Sequence, residues 1–231
     1  MKTIGERLGS VLIGVAAAIV IVTIAIVPFL TPAWVSFEQD RAQATAWTRY
    51  TTTELRSATD AILADLVVGG DFAVEVGGQP VLNERERVHM ADVRTVFRGL
   101  WTLAALSLLV LGVAAVRRGD RPGTWRAVRR GTLGLTVGIV VAGAVGLVAF
   151  DWLFEVFHEV FFPAGSYLFN PLTDRLVQLF PFQFWDETAT VVGAVIIGLS
   201  LVVAWFAGRR AAPPVLEVSP ASRAVVVEPG S

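Results

Sequence analysis

The chain has 231 residues, 54% of them hydrophobic and only 17% charged, with a formal net charge of −1. Soluble domains carry about 25% charged residues, so this composition points to a membrane protein, and the missing positive excess excludes a nucleic-acid backbone binder. Cysteine is absent and Lys2 is the single lysine, which excludes disulfide scaffolds, thiol nucleophiles, Cys-based zinc sites and thiol lipidation, and nearly excludes amine catalysis.

Residues 1–9 carry Lys2 and Arg7 and give way to an uninterrupted apolar run over residues 10–30. At 1.5 Å per residue that run crosses a hydrocarbon core of about 30 Å. It is longer than the roughly 7–15 apolar residues of a signal peptide, so it is read as an uncleaved first span.

Residues 31–98 are polar enough for water and are expected to form a small α+β extracytoplasmic domain. Leu55, Ala58, Ile62 and Leu66 sit at helical spacing, and Gly69-Gly70 stops the pattern. Residues 72–76 alternate like a strand, with Gly77-Gly78 as a hairpin turn before Val81-Leu82. Asn83 with Glu86 has the spacing of a capping box. The helix it opens carries Arg85, His89, Asp92 and Val96 on one face and runs into a second span, residues 99–116.

Residues 117–130 hold six arginines against one acid, and residues 131–150 form the third span. Gly134, Gly138, Ala142 and Gly146 make a small-residue stripe there, read as a surface for close helix packing. Residues 151–189 reverse the charge, with one arginine and six acids. Their opening helix, DWLFEVFHEVFF over residues 151–162, places Asp151, Glu155, His158 and Phe162 on one face among aromatic rings. Beyond Pro163-Ala164-Gly165, Asn170-Pro171 reads as the cap and first residue of a short helix, with Asp174 in its first turn. The apolar face of that helix (Leu172, Leu176, Val177, Leu179, Phe180) suits the membrane interface, as a cover over a lipid-facing cavity. Residues 190–207 form the fourth span, followed by Arg209-Arg210 and a tail, 208–231, expected to be disordered from its composition. The fold class is therefore an all-α protein with four transmembrane helices. The positive-inside rule puts both termini and the 117–130 loop in the cytoplasm and both long loops outside, so His89 and His158 share one side.

An imidazole with two carboxylates is costly beside lipid unless the groups pair or line a wet cavity. The bland alternative is an interfacial aromatic belt with a stray polar face. No Gly-rich phosphate loop, G-x-S-x-G elbow or H-E-x-x-H motif is present. Glu155 and His158 make half of a di-iron carboxylate motif whose second half is missing. A metal held by His89, His158 and nearby carboxylates is the weaker reading, and Ser166 lacks the strained turn of a nucleophile. What remains is a pair of histidines, one to act as base and one as acid, with Asp92 and Glu155 to orient them as a carboxylate does in a triad. At the level of lipid esters, acyl transfer or hydrolysis is the natural chemistry.

Three motifs resemble the lipoprotein intramolecular transacylase family: residues 83–93 (NERERVHMADV), residues 157–162 (FHEVFF), and Asn170-Pro171, Asp174 and Phe180-Pro181 beyond them. The four-span order and the long first outer loop agree. The resemblance implies a bacterial plasma-membrane enzyme acting on the diacylated N-terminal cysteine of a lipoprotein, with membrane lipid around it. The acyl chain at sn-2 would move to the α-amino group of the same cysteine, giving the lyso-form. His89 and His158 match the family's catalytic positions. Arg94, or a backbone N–H of the 163–170 turn, is the expected oxyanion donor, and Asn170 and Asp174 are expected to support the site. Nucleophile and ester belong to one substrate, so a bent substrate supplies a large effective molarity, and neither a protein nucleophile nor a cofactor or metal is expected. The rivals are a metal-assisted lipid hydrolase and a non-catalytic assembly factor for lipoproteins.

Overall fold

The computed structural model describes residues 3–212. Its helices are α1 (Ile4–Ile26), α2 (Pro32–Arg41), α3 (Ala44–Thr48), α4 (Thr52–Ala64), α5 (Glu84–Arg118), α6 (Pro122–Phe161), α7 (Arg175–Leu179) and α8 (Phe182–Ala211), and β1 (Glu75–Val76) pairs antiparallel with β2 (Gln79–Pro80). Among the described residues four helices, α1 (continued by a 3-10 turn to Leu30), α5, α6 and α8, are long and apolar enough to cross a membrane. The remaining elements form a cap over one end of this bundle.

Length explains the division. With 35 and 40 residues, α5 and α6 measure roughly 52 and 60 Å, well beyond a hydrocarbon core of about 30 Å. Each must carry polar turns past the apolar stretch, and each carries a histidine there. The capping box at the start of α5 forms as its spacing predicts: Glu86 N–H donates to Asn83 Oδ1 at 3.0 Å and Asn83 N–H to Glu86 Oε2 at 2.7 Å.

Several sequence expectations are corrected. The hairpin turns at Gly77-Gly78, but the strand is only Glu75–Val76, extended by a single bond from Val81 N–H to Val74 O at 2.8 Å, so residues 72–74 are not strand. The third span and the helix after it run together as α6 but are separated by a non-helical residue, Ala149 (φ −150°, ψ 46°), close to the expected boundary at residues 150–151. The short helix is capped by Asp174 rather than Asn170, because residues 170–173 close a turn through Asn170 O. Phe182, Phe184 and Trp185 belong to the first turns of α8, which also takes in Gly208–Ala211 of the expected tail. The rest of that tail lies outside the described residues.

Nor does α7 lie against lipid. Leu176, Leu179 and Phe180 are buried with Leu55, Ala58 and Ile62 of α4, Val35 of α2 and Met90 of α5 in one core. Gln39 Nε2 fastens it by donating to Leu179 O at 2.9 Å and to Thr59 Oγ1 at 3.0 Å. The two long loops thus form a single cap, tied to α8 by the Arg41–Glu187 pair at 2.5 Å and by Trp34 Nε1 donating to Thr188 Oγ1 at 3.2 Å. Inside that cap Glu38 is only 2% exposed, and burial, with Glu187 beside it, pushes its carboxyl above the usual carboxylate range.

The helices of the bundle do not meet on the expected small-residue stripe. Gly134, Gly138 and Ala142 are exposed, and nothing lies within 4 Å of a side chain added at Gly134 or Gly138. The close crossing is at Gly131, where any Cβ would collide with the backbone of Gly14 on α1. A different face of α6, with Leu135 and Ile139, packs on Ile196 and Val192 of α8.

Candidate active site

The overhanging ends of α5 and α6 bring His89 and His158 together. Their ring centroids are 6.1 Å apart and the rings lie within 19° of parallel. Both are buried, 6% and 9% exposed. Phe162 fills the angle between them, with its ring 4.8 Å from His89 and 5.3 Å from His158. Phe169 closes over His89 at 5.3 Å, while Phe154 at 4.2 Å and Tyr167 at 5.1 Å close over His158. The aromatic pattern of residues 154–162 therefore walls the histidines from water and does not serve only as a lipid belt.

Hydrogen bonding distinguishes the two imidazoles. Nδ1 of His158 lies 2.7 Å from Phe154 O, one turn back on α6. A carbonyl oxygen only accepts, so Nδ1 carries the proton and, in the neutral ring, Nε2 keeps its lone pair. Nδ1 of His89 is buried with no partner among the described residues. The expected orienting carboxylates are absent from both rings: Glu155 is exposed, and neither Glu155 nor Asp92 hydrogen-bonds a histidine. At His158 the carbonyl one turn back, Phe154 O, occupies Nδ1 in place of a carboxylate.

Arg94 is also engaged elsewhere. Its Nη1 donates to Gly70 O and, at 3.3 Å, to Asp65 O, and its guanidinium stacks over Phe72 at 5.0 Å. It holds the 65–72 loop on α5 and offers no donor to the imidazoles.

The acids that support the site act through the backbone. Glu86, 1% exposed, accepts from Leu176 N–H at 2.6 Å on Oε1 while its Oε2 completes the capping box. Asp174, 6% exposed, accepts from Asn170 N–H at 2.7 Å, Arg85 Nη2 at 2.9 Å and Asn83 Nδ2 at 3.2 Å. Asn170 turns its own Oδ1 to Leu172 N–H at 2.9 Å. The start of α5 is thereby clamped to the 170–176 turn, with His89 one turn above Glu86. Arg85 extends the clamp by stacking over Phe169 at 5.1 Å, the ring that faces His89. Glu86, Arg85, Phe169 and Tyr167 had not been singled out as site residues from sequence. The capping box did mark Glu86, but its second carboxylate oxygen gave no signal.

Among the described residues no group of three His, Asp or Glu side chains stands at metal-holding spacing. The donor set at the centre is two imidazoles and aromatic rings, a set suited to moving protons in a dry pocket.

A family model described as "Lipoprotein intramolecular transacylase Lit" matches residues 10–185. Among solved structures, the membrane integral lipoprotein intramolecular transacylase Lit from Bacillus cereus superposes with a TM-score of 0.75 at 16% identity, covering 89% of this chain and 95% of that one. A variant of that protein with one histidine replaced by arginine gives a TM-score of 0.70 at 16% identity, covering 89% and 91%. No curated protein matches the chain significantly.

Proposed function

The chain belongs to the lipoprotein intramolecular transacylase family, and from that premise we propose that it moves the sn-2 acyl chain of a diacylglyceryl lipoprotein to the α-amino group of its N-terminal cysteine. The observation that carries this reading is the stacked pair of buried imidazoles, 6.1 Å apart in an aromatic enclosure.

The substrate's α-amine, with a reference pKa of about 7.7–8.0, is largely protonated in neutral water and must reach the site as the free amine. Its nitrogen attacks the sn-2 carbonyl carbon, and a tetrahedral intermediate forms. His158 takes the proton from that nitrogen on Nε2, because its Nδ1 proton is committed to Phe154 O. Burial and the neighbouring His158 push the pKa of His89 down to about 4, so it rests neutral. The proton taken by His158 passes through His89 to the departing glycerol oxygen, the C–O bond breaks and the amide remains. Both heteroatoms sit on one carbon, which suits two bases held side by side. The proton lost by nitrogen is the one gained by oxygen, so the pair begins and ends the cycle neutral.

The oxyanion is assigned to the turn after Phe162. Backbone N–H groups of Tyr167 and Phe169 have no acceptor among the described residues, and the rings of these two residues adjoin His158 and His89. Donors already fixed in place need no reorganisation as charge develops. The aromatic enclosure excludes water, which would otherwise compete with the amine and turn transfer into hydrolysis.

We place this site on the extracytoplasmic face of a bacterial plasma membrane, on the strength of the arginine distribution. In proteoliposomes supplied with a synthetic diacylglyceryl lipopeptide, His89→Gln and His158→Gln should each insert and fold yet lower conversion by at least about a hundredfold, the usual scale of general acid–base catalysis. Conversion near the wild-type rate by either variant removes that histidine from the mechanism.

A further inference from the structure

At the end of the bundle opposite the histidines, α1 and α6 enclose a groove of about 510 Å³ lined by Arg7, Ser10, Val11 and Val15 on one side and Ala127, Arg130 and Gly131 on the other. A smaller pocket of about 280 Å³ adjoins it through Arg130 and is lined by Arg126 and Arg129 as well. We propose that this groove binds the headgroup of an anionic phospholipid, with its phosphate between Arg7 and Arg130 and an acyl chain along Val11 and Val15.

Three observations carry the assignment. First, the cations are uncompensated. The described residues at this end include nine arginines (7, 117, 118, 121, 126, 129, 130, 209 and 210) against Glu6 and Asp120. Both acids are committed, Glu6 to the Thr3 cap and Asp120 to Arg210 at 2.9 Å and Trp125 Nε1 at 2.8 Å. Neither Arg7 nor Arg130 pairs with a carboxylate among the described residues, and Arg130 uses only Nε, on Arg126 O at 3.2 Å. Its terminal N–H groups are left for an external acceptor, in the fork geometry that suits a phosphate.

Second, the shape is fixed by sequence. The contact of Gly14 with Gly131 pins the two helices at one point and gives the groove a floor without side chains. Third, its wall changes character along its length. Arg7 and Ser10 stand at the polar end and exposed Val11 and Val15 at the apolar end, which is the order of groups in a phospholipid. Arginines placed only to set topology require no groove, and a soluble phosphate has no use for the valines. Basic pockets between membrane helices are a known way to hold anionic headgroups.

The test compares the full-length protein with two double variants of equal charge change: Arg7→Gln with Arg130→Gln in the groove, and Arg121→Gln with Arg209→Gln outside it. Retained lipid is counted by native mass spectrometry after release from phosphatidylglycerol or phosphatidylcholine nanodiscs. The wild type and the outer double variant should keep one phosphatidylglycerol and prefer it to phosphatidylcholine. The groove variant should lose about thirtyfold in that preference, from two basic contacts. Equal loss in both variants, no preference in the wild type, or displacement by millimolar inorganic phosphate overturns the proposal. If the groove variant does not fold, Arg7→Gln alone, on an exposed first turn, should still lose about fivefold, and an unchanged preference there overturns it equally.

Discussion

His158 is held by its own helix. In the mechanism we propose, the 2.7 Å contact of Nδ1 with Phe154 O takes the place of a triad carboxylate, and exposed Glu155 has no part in it. Glu155→Gln should therefore leave turnover within about twofold of wild type, while the same exchange at His158 stops the reaction. A large loss with Glu155→Gln would restore the acid to the mechanism. Arg94→Gln should act on stability and not on rate, because it releases the 65–72 loop. A loss of about 1–3 kcal/mol is expected, read as a lowered thermal midpoint with unchanged turnover at low temperature. Both histidines were legible in the sequence, since helical spacing and loop charge put them on one side. Their partners were not. A backbone carbonyl as orienting group leaves no mark in a pattern of side chains, and helical spacing promised carboxylate contacts that the side-chain directions do not make.

At the scale of elements, the capping box at Asn83 and Glu86 was readable to the residue, and the structure uses it twice. Glu86→Gln keeps an acceptor for Leu176 N–H but turns its own buried amide N–H groups toward Asn83 N–H, leaving donor facing donor. It should lower stability by about 1–3 kcal/mol, and a thermal midpoint equal to wild type would show that the clamp is idle. The stripe of Gly134, Gly138 and Ala142 misled because small residues permit a close approach without requiring one. Gly131, one turn earlier, has Gly14 against it. Gly131→Ala should thus lower the thermal midpoint clearly more than Gly134→Ala or Gly138→Ala, and equal effects would contradict the crossing. The short helix α7 was misjudged for a related reason. Its apolar face reads the same whether it meets lipid or protein, and only the position of α4 decides.

For the whole molecule, four membrane-long helices follow from hydropathy, whereas the fusion of both long loops into one cap depends on long-range pairs such as Gln39 with Leu179. Within that cap burial, with Glu187 beside it, raises the folded-state pKa of Glu38 above the ordinary carboxyl value of 4.5. A raised carboxyl pKa favours the fold below the unfolded value and weakens it as pH rises through the folded value. Glu38→Gln should then stabilise the protein at neutral pH, with the gain shrinking as pH falls toward 4.5; a gain independent of pH would contradict the burial argument. Orientation is testable because the chain has no cysteine. Single cysteines at Asp60 and Ser166 should react with an impermeant thiol reagent in intact cells, and one at Gly123 should not. Labelling at Gly123 would reverse the topology.

The central claim is transfer within one substrate molecule, and tandem mass spectrometry of the lipopeptide tests it most directly. Substrate and product of such a transfer are isomers, so the intact mass must stay constant while fragmentation moves one acyl chain, isotopically labelled at sn-2, from glycerol to the N-terminal amine. Purified wild-type protein is predicted to give this result, and the His158→Gln protein is not. Loss of the labelled chain from the intact mass would instead show hydrolysis, and an unaltered fragmentation pattern would show no chemistry at all. Either outcome contradicts the account.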